Sequence, residues 1–467
     1  MLSKYCKCSI IIYRLHIGER GNFMINIPAS IKLVVDMIIN SGYEAYVVGG
    51  CVRDTLMNRT PNDWDITTSG EPEDIKKIFE KTVDTGIKHG TVTVLTQGGQ
   101  VEVTTYRIDG EYIDNRRPEE VFFTKKIEED LKRRDFTINA IAYNDIDGMI
   151  DLFDGTLDIE RKIIRCVGNP NDRFNEDGLR MLRAIRFSAQ LGFEIEKETF
   201  ESIKQNNNLI KNISAERVRE ELTKILTSSH PEKIMSLHES GLMQHILPEF
   251  EKCIGFEQDN PYHIYNVADH TLEAVRNIEK DPVLRWTMLL HDFGKPLTKS
   301  FDKKGIGHFY GHGVVSESLA GKILSRLKFD NKSIKKITRL IRFHDYRMLA
   351  SEKSVRKAVA KIGDDIFLDL LAVQRADDSA KNLEIKKEDI KKSREIEKIY
   401  YEIKKKQQCI SKGEMKIDGR DLISIGITEG KEIGVILEKL FKLVVEYPEM
   451  NDKEKLIDVV KRNRKHG

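Results

Sequence analysis

The sequence predicts an α/β head followed by a long, mostly helical body, and three observations lead there. Between Tyr43 and Asp154, short apolar runs alternate with glycine-rich turns, the texture of a mixed sheet. From about Phe174 onward helical spacing dominates, with breaks near Asn206-Asn207-Asn208, Pro231, Pro248 and Asn260-Pro261. Charged residues make up 33% and hydrophobic residues 40% of the 467, which suits a globular chain rich in helix. A chain of this length is expected to form several domains.

In order along the chain, residues 1–23 show no clear amphipathic pattern. They are expected to be a disordered extension, with Met24 as the functional start. A helix begins at Pro28, where Ile31, Val34, Val35, Ile38 and Ile39 recur at helical spacing. Tyr46-Val47-Val48 predicts a buried strand ending in a glycine turn, and Trp64 to Thr67 a second strand. Glu73 to Lys81 predicts a helix. Gly90 to Leu95 and Gln100 to Tyr106 predict a strand pair joined by Gln97-Gly98-Gly99. The lysine- and glutamate-rich stretch Glu384 to Lys406 predicts a long solvated helix. No internal repeat is visible.

Composition excludes some classes. No segment approaches the length of a membrane span, and the apolar run Cys8 to Tyr13 is short for a signal-peptide core. The six cysteines (Cys6, Cys8, Cys51, Cys166, Cys253, Cys409) form no C-x-x-C, so reduced thiols and a cytoplasmic location are expected. A net charge of +2 makes no case for nucleic acid by itself. Local clusters do more: Arg116-Arg117, Lys132-Arg133-Arg134, the arginines of 180–186, and Lys461-Arg462-Asn463-Arg464-Lys465.

The chemistry concentrates in Val47-Val48-Gly49-Gly50-Cys51-Val52-Arg53-Asp54, followed by Asn62-Asp63-Trp64-Asp65-Ile66. Two glycines after a strand let backbone N–H groups approach a polyphosphate without a Cβ in the way. Arg53, on the first helical turn, can donate to the same phosphates. Asp63 and Asp65 are one residue apart, so on a strand both would point to one face. That face suits Mg²⁺, which binds through one or two carboxylates plus phosphate oxygens. Glu102, in Val101-Glu102-Val103, is either a third acidic group or a polar residue on a solvated face. Alone, a glycine pair is usually a turn and a D-x-D usually structural; the combination is far more specific.

These residues resemble the polymerase-β-like nucleotidyltransferase fold, and in particular the class II tRNA nucleotidyltransferases (CCA-adding enzymes) and their poly(A) polymerase relatives. The resemblance spans about residues 25–190. It also rests on Arg133-Arg134-Asp135-Phe136-Thr137-Ile138-Asn139-Ala140, Asp151-Leu152-Phe153-Asp154-Gly155 and Asn175-Glu176-Asp177-Gly178-Leu179-Arg180-Met181-Leu182-Arg183-Ala184. It implies catalytic, metal-holding roles for Asp63 and Asp65, and nucleotide binding by Gly49, Gly50 and Arg53. It implies ribose contact by Arg134 and Asp135, for which an internal Arg–Asp pair is the alternative.

Asn175 is expected to cap a helix on which Asp177, Arg180, Arg183 and Arg186 form a charged stripe opposite Leu179, Leu182 and Ile185. By itself such a stripe is an exposed ion-pair ladder. The resemblance implies instead that Asp177 and Arg180 act as a protein template for the incoming base, with Arg183 and Arg186 facing the triphosphate. An acceptor beside a donor matches the N4/N3 edge of cytosine and the N6/N1 edge of adenine, and opposes uracil and guanine. The glycine- and charge-rich segment Tyr106 to Val121 resembles the flexible loop needed for terminal A addition, which argues against a CC-only enzyme.

Farther on, His263, His270, His291-Asp292, His312, His344-Asp345 and Ala376-Asp377-Asp378 resemble the HD phosphohydrolase superfamily, with Leu289-Leu290-His291-Asp292-Phe293-Gly294-Lys295 the most diagnostic stretch. The resemblance implies metal binding by His270, His291, Asp292 and Asp377, and second-metal ligation by His312 and His344. Imidazole with carboxylate suits Mn, Fe, Ni or Zn better than Mg. Ile417 to Gly434 resembles the family's RNA-binding tail, or equally a helix-turn-helix packing unit.

The expected organisation is therefore an extension (1–23), a nucleotidyltransferase head (24–154), a helical neck with the base-selecting helix (155–255), an HD domain (256–385) and a helical tRNA-binding tail (386–467). The expected activity is template-independent addition of CCA to tRNA 3′ ends from CTP and ATP, with Mg²⁺, release of pyrophosphate and no membrane partner. The alternatives are an A-adding enzyme, a poly(A) polymerase, or an HD phosphohydrolase with an RNA-binding head. Oligomeric state is not legible.

Overall fold

The computed structural model describes residues 24–110, 112–113, 117–118 and 120–465; the expected extension 1–23 lies outside them. The chain forms two compact units. One comprises the residues up to Ser214 with Glu239–Leu242; the other comprises Ala215–His238 and everything from Met243 on.

The first unit is built on a seven-stranded mixed sheet. Helix α1 (Ala29–Asn40) buries Ile31, Val34, Val35 and Ile38, the face its spacing predicts. Strand β1 (Ala45–Val48) is buried at every position and runs into α2 (Gly50–Leu56). Strand β2 (Asp65–Thr68) and helix α3 (Pro72–Ile78) follow, then β3 (Thr82–Gly86), β4 (Thr91–Thr96) and β5 (Gly99–Thr105). Helix α4 (Ile127–Lys132) leads to β6 (Ile141–Asn144) and β7 (Gly148–Asp151). The strand order is β7-β6-β1-β2-β5-β4-β3. All neighbours are antiparallel except β2 and β5, which run parallel.

The Asp151–Gly155 motif is explained by packing. Both Asp151 carboxylate oxygens accept from the start of α5 (Gly155–Arg161), through the Gly155 and Thr156 N–H groups and the Thr156 hydroxyl. A Cβ on Gly155 would fall 2.2 Å from the Thr137 carbonyl oxygen, so only glycine fits there. In the expected loop, Arg107–Asp109 pairs with Val121–Phe123 and Tyr112–Ile113 with Arg117–Pro118. Residues 111, 114–116 and 119 of that loop lie outside the described residues.

The region expected to select the base differs from expectation in its local structure. Asn169 caps α6 (Pro170–Glu176) with Pro170 at its first position, so Asn175 lies inside a helix rather than at its start. Asp177 sits in extended backbone between α6 and α7 (Leu179–Leu191), and its carboxylate accepts from the Leu179 N–H at 3.0 Å. Helix α7 is buried nearly all round, including Arg180 and Arg186, so the four residues are not an exposed stripe.

The second unit is helical. Its central elements are α8 (Val267–Arg276), α9 (Pro282–Leu290), α10 (His312–Arg326), α11 (Asn331–Phe343) and α12 (Phe367–Ser379). The lysine-rich stretch is one helix, Leu383–Lys405, but Ser393, Ile396, Tyr400 and Ile403 bury one of its faces. The C-terminal helices Gly419–Ser424, Gly430–Glu446 and Lys453–Lys465 close on an apolar cluster that includes Leu422, Ile427, Val444 and Leu456. Among the described residues no helix is long and apolar enough to cross a membrane.

Candidate active site and a second metal-capable centre

The glycine turn after β1 is shaped by its neighbours. Gly49 has φ +81°, and a Cβ there would stand 3.1 Å from Arg134 Nη1, so backbone strain and contact both demand glycine. Gly49 also brings no side chain to cap α2, which leaves the first N–H groups of that helix without a side-chain acceptor. Arg53 is buried in the next turn. It donates from Nε to Asp54 at 2.9 Å and from Nη1 to Asn139 at 2.7 Å.

The carboxylates lie on the neighbouring strand. Asp65 opens β2 and is the registered partner of Glu102 on β5, so the two leave the sheet side by side. Asp63 is exposed in the lead-in to β2 rather than on the strand itself. The Asp65 carboxyl is raised above its ordinary value, first by desolvation and then by the charges of Glu102 and Asp63, with Arg134 opposing. A cluster of negative charge beside a cation and a glycine turn is what a divalent ion and a polyphosphate would relieve.

Arg134 and Asp135 are both committed to internal pairs, though not to each other. The fully buried Asp130 accepts from Arg134 at 3.2 Å, from Arg133 at 3.0 and 2.6 Å, and from Thr67 at 3.2 Å. The Asp130 carboxyl is lowered despite its burial, because Arg134 and Arg133 outweigh desolvation. One oxygen of Asp135, Oδ2, accepts twice from Arg183, at 2.8 Å from Nε and 2.5 Å from Nη2. Its carboxyl is held down at about 2: desolvation opposes, and the Arg183 charge and hydrogen bonds prevail. Arg180 donates to Glu176, to the Arg173 carbonyl at 3.2 Å and to the Arg133 carbonyl at 3.2 Å. Arg186 donates to Gln190 at 2.8 Å. Asp130 and Asn139 were missed as positioning residues; the only local signal for Asp130 was its i,i+3 and i,i+4 spacing to Arg133 and Arg134.

The HD-like residues converge inside the second unit. Ligand atoms of His270, His291, Asp292 and Asp377 lie within 4.8 Å of one another, as do those of Asp292, His312 and His344. Asp63, Asp65 and Glu102 do not form such a set. Asp292 joins the two groups: one carboxylate oxygen is 3.2 Å from His291 Nε2, and the other is 3.5 Å from His312 Nε2. Gly294 lets α10 approach, since a Cβ there would meet the His312 carbonyl oxygen at 2.5 Å.

The hydrogen bonds fix the tautomers. His291, His312 and His344 hold Nδ1 at 2.6–2.8 Å from the carbonyls of Met288, Phe309 and Ile341, which can only accept. Once deprotonated, as metal binding requires, each ring turns a lone pair inward from Nε2. His312 and His344 face each other Nε2 to Nε2 at 3.0 Å, an arrangement that calls for a cation between or beside them. His291 Nε2 and Asp292 Oδ1 make no hydrogen bond of good geometry, and Asp292 Oδ2 has the Lys295 ammonium beside it. Desolvation lowers His291, but Asp292 and Asp377 prevail and raise it to about 9, whereas burial and the neighbouring imidazoles hold His344 down at about 3. The donor set fits divalent metal.

Sequence reasoning missed the cations around this centre. Lys295 is 2.6 Å from Asp292, and Lys381 is 2.8 Å from Asp377. A cavity of about 620 Å³ opens over the centre, lined in part by Tyr262, His263, Tyr310, Arg342 and Lys361. The described cysteines Cys51, Cys166, Cys253 and Cys409 are all buried and free, and burial pushes the Cys166 and Cys253 thiols up to about 12. They are packing residues, not nucleophiles.

Three family descriptions match the chain: "Poly A polymerase head domain" over residues 45–165, "Probable RNA and SrmB- binding site of polymerase A" over 192–254, and "tRNA nucleotidyltransferase domain 2 putative" over 312–460. The chain is 36% identical over 444 residues to a CCA-adding enzyme of Ligilactobacillus salivarius, covering 94% of this chain and 98% of that protein. It is 34% identical over 437 residues to a CCA-adding enzyme of Enterococcus faecalis, covering 93% and 96%. The fold is similar to that of the Bacillus stearothermophilus CCA-adding enzyme in complex with CTP, with TM-score 0.70, 29% identity, and coverage of 94% of this chain and 98% of that one. With a glycine turn, a registered carboxylate pair and full-length relatives of this kind, the chain is a nucleotidyltransferase and belongs to the CCA-adding enzyme family.

Proposed function

We propose that this enzyme adds C, C and A to tRNA 3′ ends from CTP and ATP, without a nucleic-acid template and with release of pyrophosphate. The observation that carries the reading is the Asp65–Glu102 register beside the Gly49–Gly50 turn, in a chain similar along its length to CCA-adding enzymes. Asp63 and Asp65, with Glu102 beside them, would hold Mg²⁺, which supplies activation of the attacking hydroxyl and charge stabilisation at the α-phosphate. Gly49, whose own N–H is held by the Ile141 carbonyl at 3.1 Å, shapes the turn against the triphosphate; Gly50 presents its backbone N–H there, and Arg53, Arg183 and Arg186 supply positive charge. Arg134 crosses the turn toward the sugar, and Asp135 holds Arg183 in place. Asp177 and Arg180 read the base; for this Arg180 must exchange its contact with Glu176 for the nucleotide. In terms of the chain, we assign 24–154 as the transferase head, 155–255 as the neck, 256–385 as the HD domain and 386–467 as the tRNA-binding tail. Asp65→Asn tests the site: incorporation of C and A should be lost together, and retention of either at the normal rate contradicts the assignment.

A second reading concerns the helical unit, and the shared Asp292 favours it. His270, His291, Asp292 and Asp377 would hold one divalent ion of the Mn, Fe, Ni or Zn type, and Asp292, His312 and His344 another. Such a pair supplies a nucleophilic hydroxide and a clamp for a phosphate ester. Release of phosphate from nucleoside monophosphates or cyclic nucleotides in the presence of these metals would support hydrolysis; metal binding without turnover would reduce the centre to a scaffold.

A further inference from the structure

One aromatic ring stands among the arginines of the head. Phe187 lies on α7, four residues after Arg183 and directly after Arg186, and is buried. The Arg186 guanidinium carbon is 3.9 Å from the ring centroid. Those of Arg53 and Arg183 are 5.2 and 5.5 Å from the same centroid. Phe136 packs edge-on against the ring at 5.7 Å and 78°, which fixes its orientation from the protein side.

Three guanidinium groups gathered this closely repel one another. Side-chain partners meet each of them: Asp54 and Asn139 on Arg53, Asp135 on Arg183 and Gln190 on Arg186. Two carboxylates against three guanidinium groups leave the cluster positive. An aromatic face attracts a guanidinium through its quadrupole and adds no negative charge, so it holds the three together without neutralising them. Arg53 stands next to the glycine turn, its Nη2 3.8 Å from where a Cβ on Gly50 would lie. The ring therefore assembles cations from two separate helices, α2 and α7, beside the phosphate-binding turn.

We propose that Phe187 is a positioning residue for nucleotide transfer, gathering Arg53, Arg183 and Arg186 into one cluster that receives the triphosphate of CTP and ATP alike. This rests on the phosphate role given above to those arginines. Because the cluster meets the part that CTP and ATP share, its loss should weaken both nucleotides equally and leave base choice unchanged.

The test is steady-state incorporation of C and A by three variants of the full chain, with thermal melting of each. Phe187→Leu keeps apolar bulk and removes the quadrupole; KM for CTP and ATP should rise about tenfold together, with kcat changed less than about twofold. Phe187→Tyr restores an aromatic face and should return both KM values to within about twofold of the parent. An unchanged KM in Phe187→Leu overturns the proposal. So does a Tyr variant as impaired as the Leu variant with matching losses of kcat and melting temperature, which marks a packing role only. Arg53→Gln separates the two levels: if it leaves KM unchanged, the phosphate role of the arginines falls and the proposal with it. If it raises KM while Phe187→Leu does not, the proposal alone falls.

Discussion

Asp65 and Glu102 are registered partners on adjacent parallel strands, which places two carboxylates on one face next to the glycine turn. Residues paired in this way cannot separate without breaking the sheet, so the spacing of the charges is set by the backbone. Desolvation first, and then the charges of Glu102 and Asp63, raise the Asp65 carboxyl against the pull of Arg134. If Glu102 shares the metal load, Glu102→Gln should lower incorporation of C and of A by roughly 10²-fold, the scale of losing one electrostatic contact in the transition state. Single-turnover rates at saturating Mg²⁺ check this, and a rate within a fewfold of the parent would return Glu102 to a solvated strand face.

The two turn glycines should respond differently. Gly49→Ala meets φ +81° and the Arg134 guanidinium at 3.1 Å, whereas a Cβ at Gly50 has Arg53 Nη2 as its nearest neighbour at 3.8 Å. Gly49→Ala should cost about 1–2 kcal/mol of stability and displace Arg134. Gly50→Ala should melt within about 2 °C of the parent and act mainly on nucleotide affinity. Chemical denaturation and KM for CTP distinguish the two.

Asp135 gives the head a pH dependence. Its carboxyl sits at about 2 in the folded chain against an ordinary 3.8, because Arg183 prevails over desolvation. A depressed carboxylate contributes stability that is fully present above the unfolded value and is lost as pH falls through the folded one. The contribution is therefore complete above about pH 4 and lost toward pH 2. Asp135→Asn should be less stable at neutral pH by about 2 kcal/mol and show a flatter acid limb over that window. Denaturation at pH 7 and at pH 3 measures both.

The second centre should be separable from the first. His270→Ala removes a candidate ligand that reaches Asp377 at 2.9 Å in the fully buried set. Bound Mn, Fe, Ni or Zn per chain, measured by elemental analysis after dialysis, should fall by about half or more, while C and A incorporation with Mg²⁺ stays within about twofold. Equal metal content in parent and variant would contradict metal binding at this site.

The sequence was most legible where local pattern and burial agree. The face of α1, the strand Tyr46–Val48 and the pair around β4 and β5 all follow from apolar spacing and glycine turns. Strand β3 escaped because it is a largely exposed edge strand with no alternation to read. The helix start at Asn175 failed because Asn169-Pro170 is the stronger start signal six residues earlier. Asp177 then breaks the periodic stripe by leaving helical backbone and capping α7. Which acid pairs with Arg134 and which with Arg183 depends on tertiary contacts, so the pairs Arg134–Asp130 and Asp135–Arg183 were not readable from the adjacent Arg134-Asp135. The histidines and aspartates of the second centre were readable as residue types, but their convergence on Asp292 joins helices far apart in the chain.

The most direct measurement is incorporation into a tRNA lacking its terminal C-C-A, with Mg²⁺ and with CTP alone, ATP alone, or both. The account predicts addition of two C residues with CTP alone, no extension with ATP alone, and a completed C-C-A with both. A run of A residues from ATP alone, or extension confined to tRNA already ending in C-C, would contradict it.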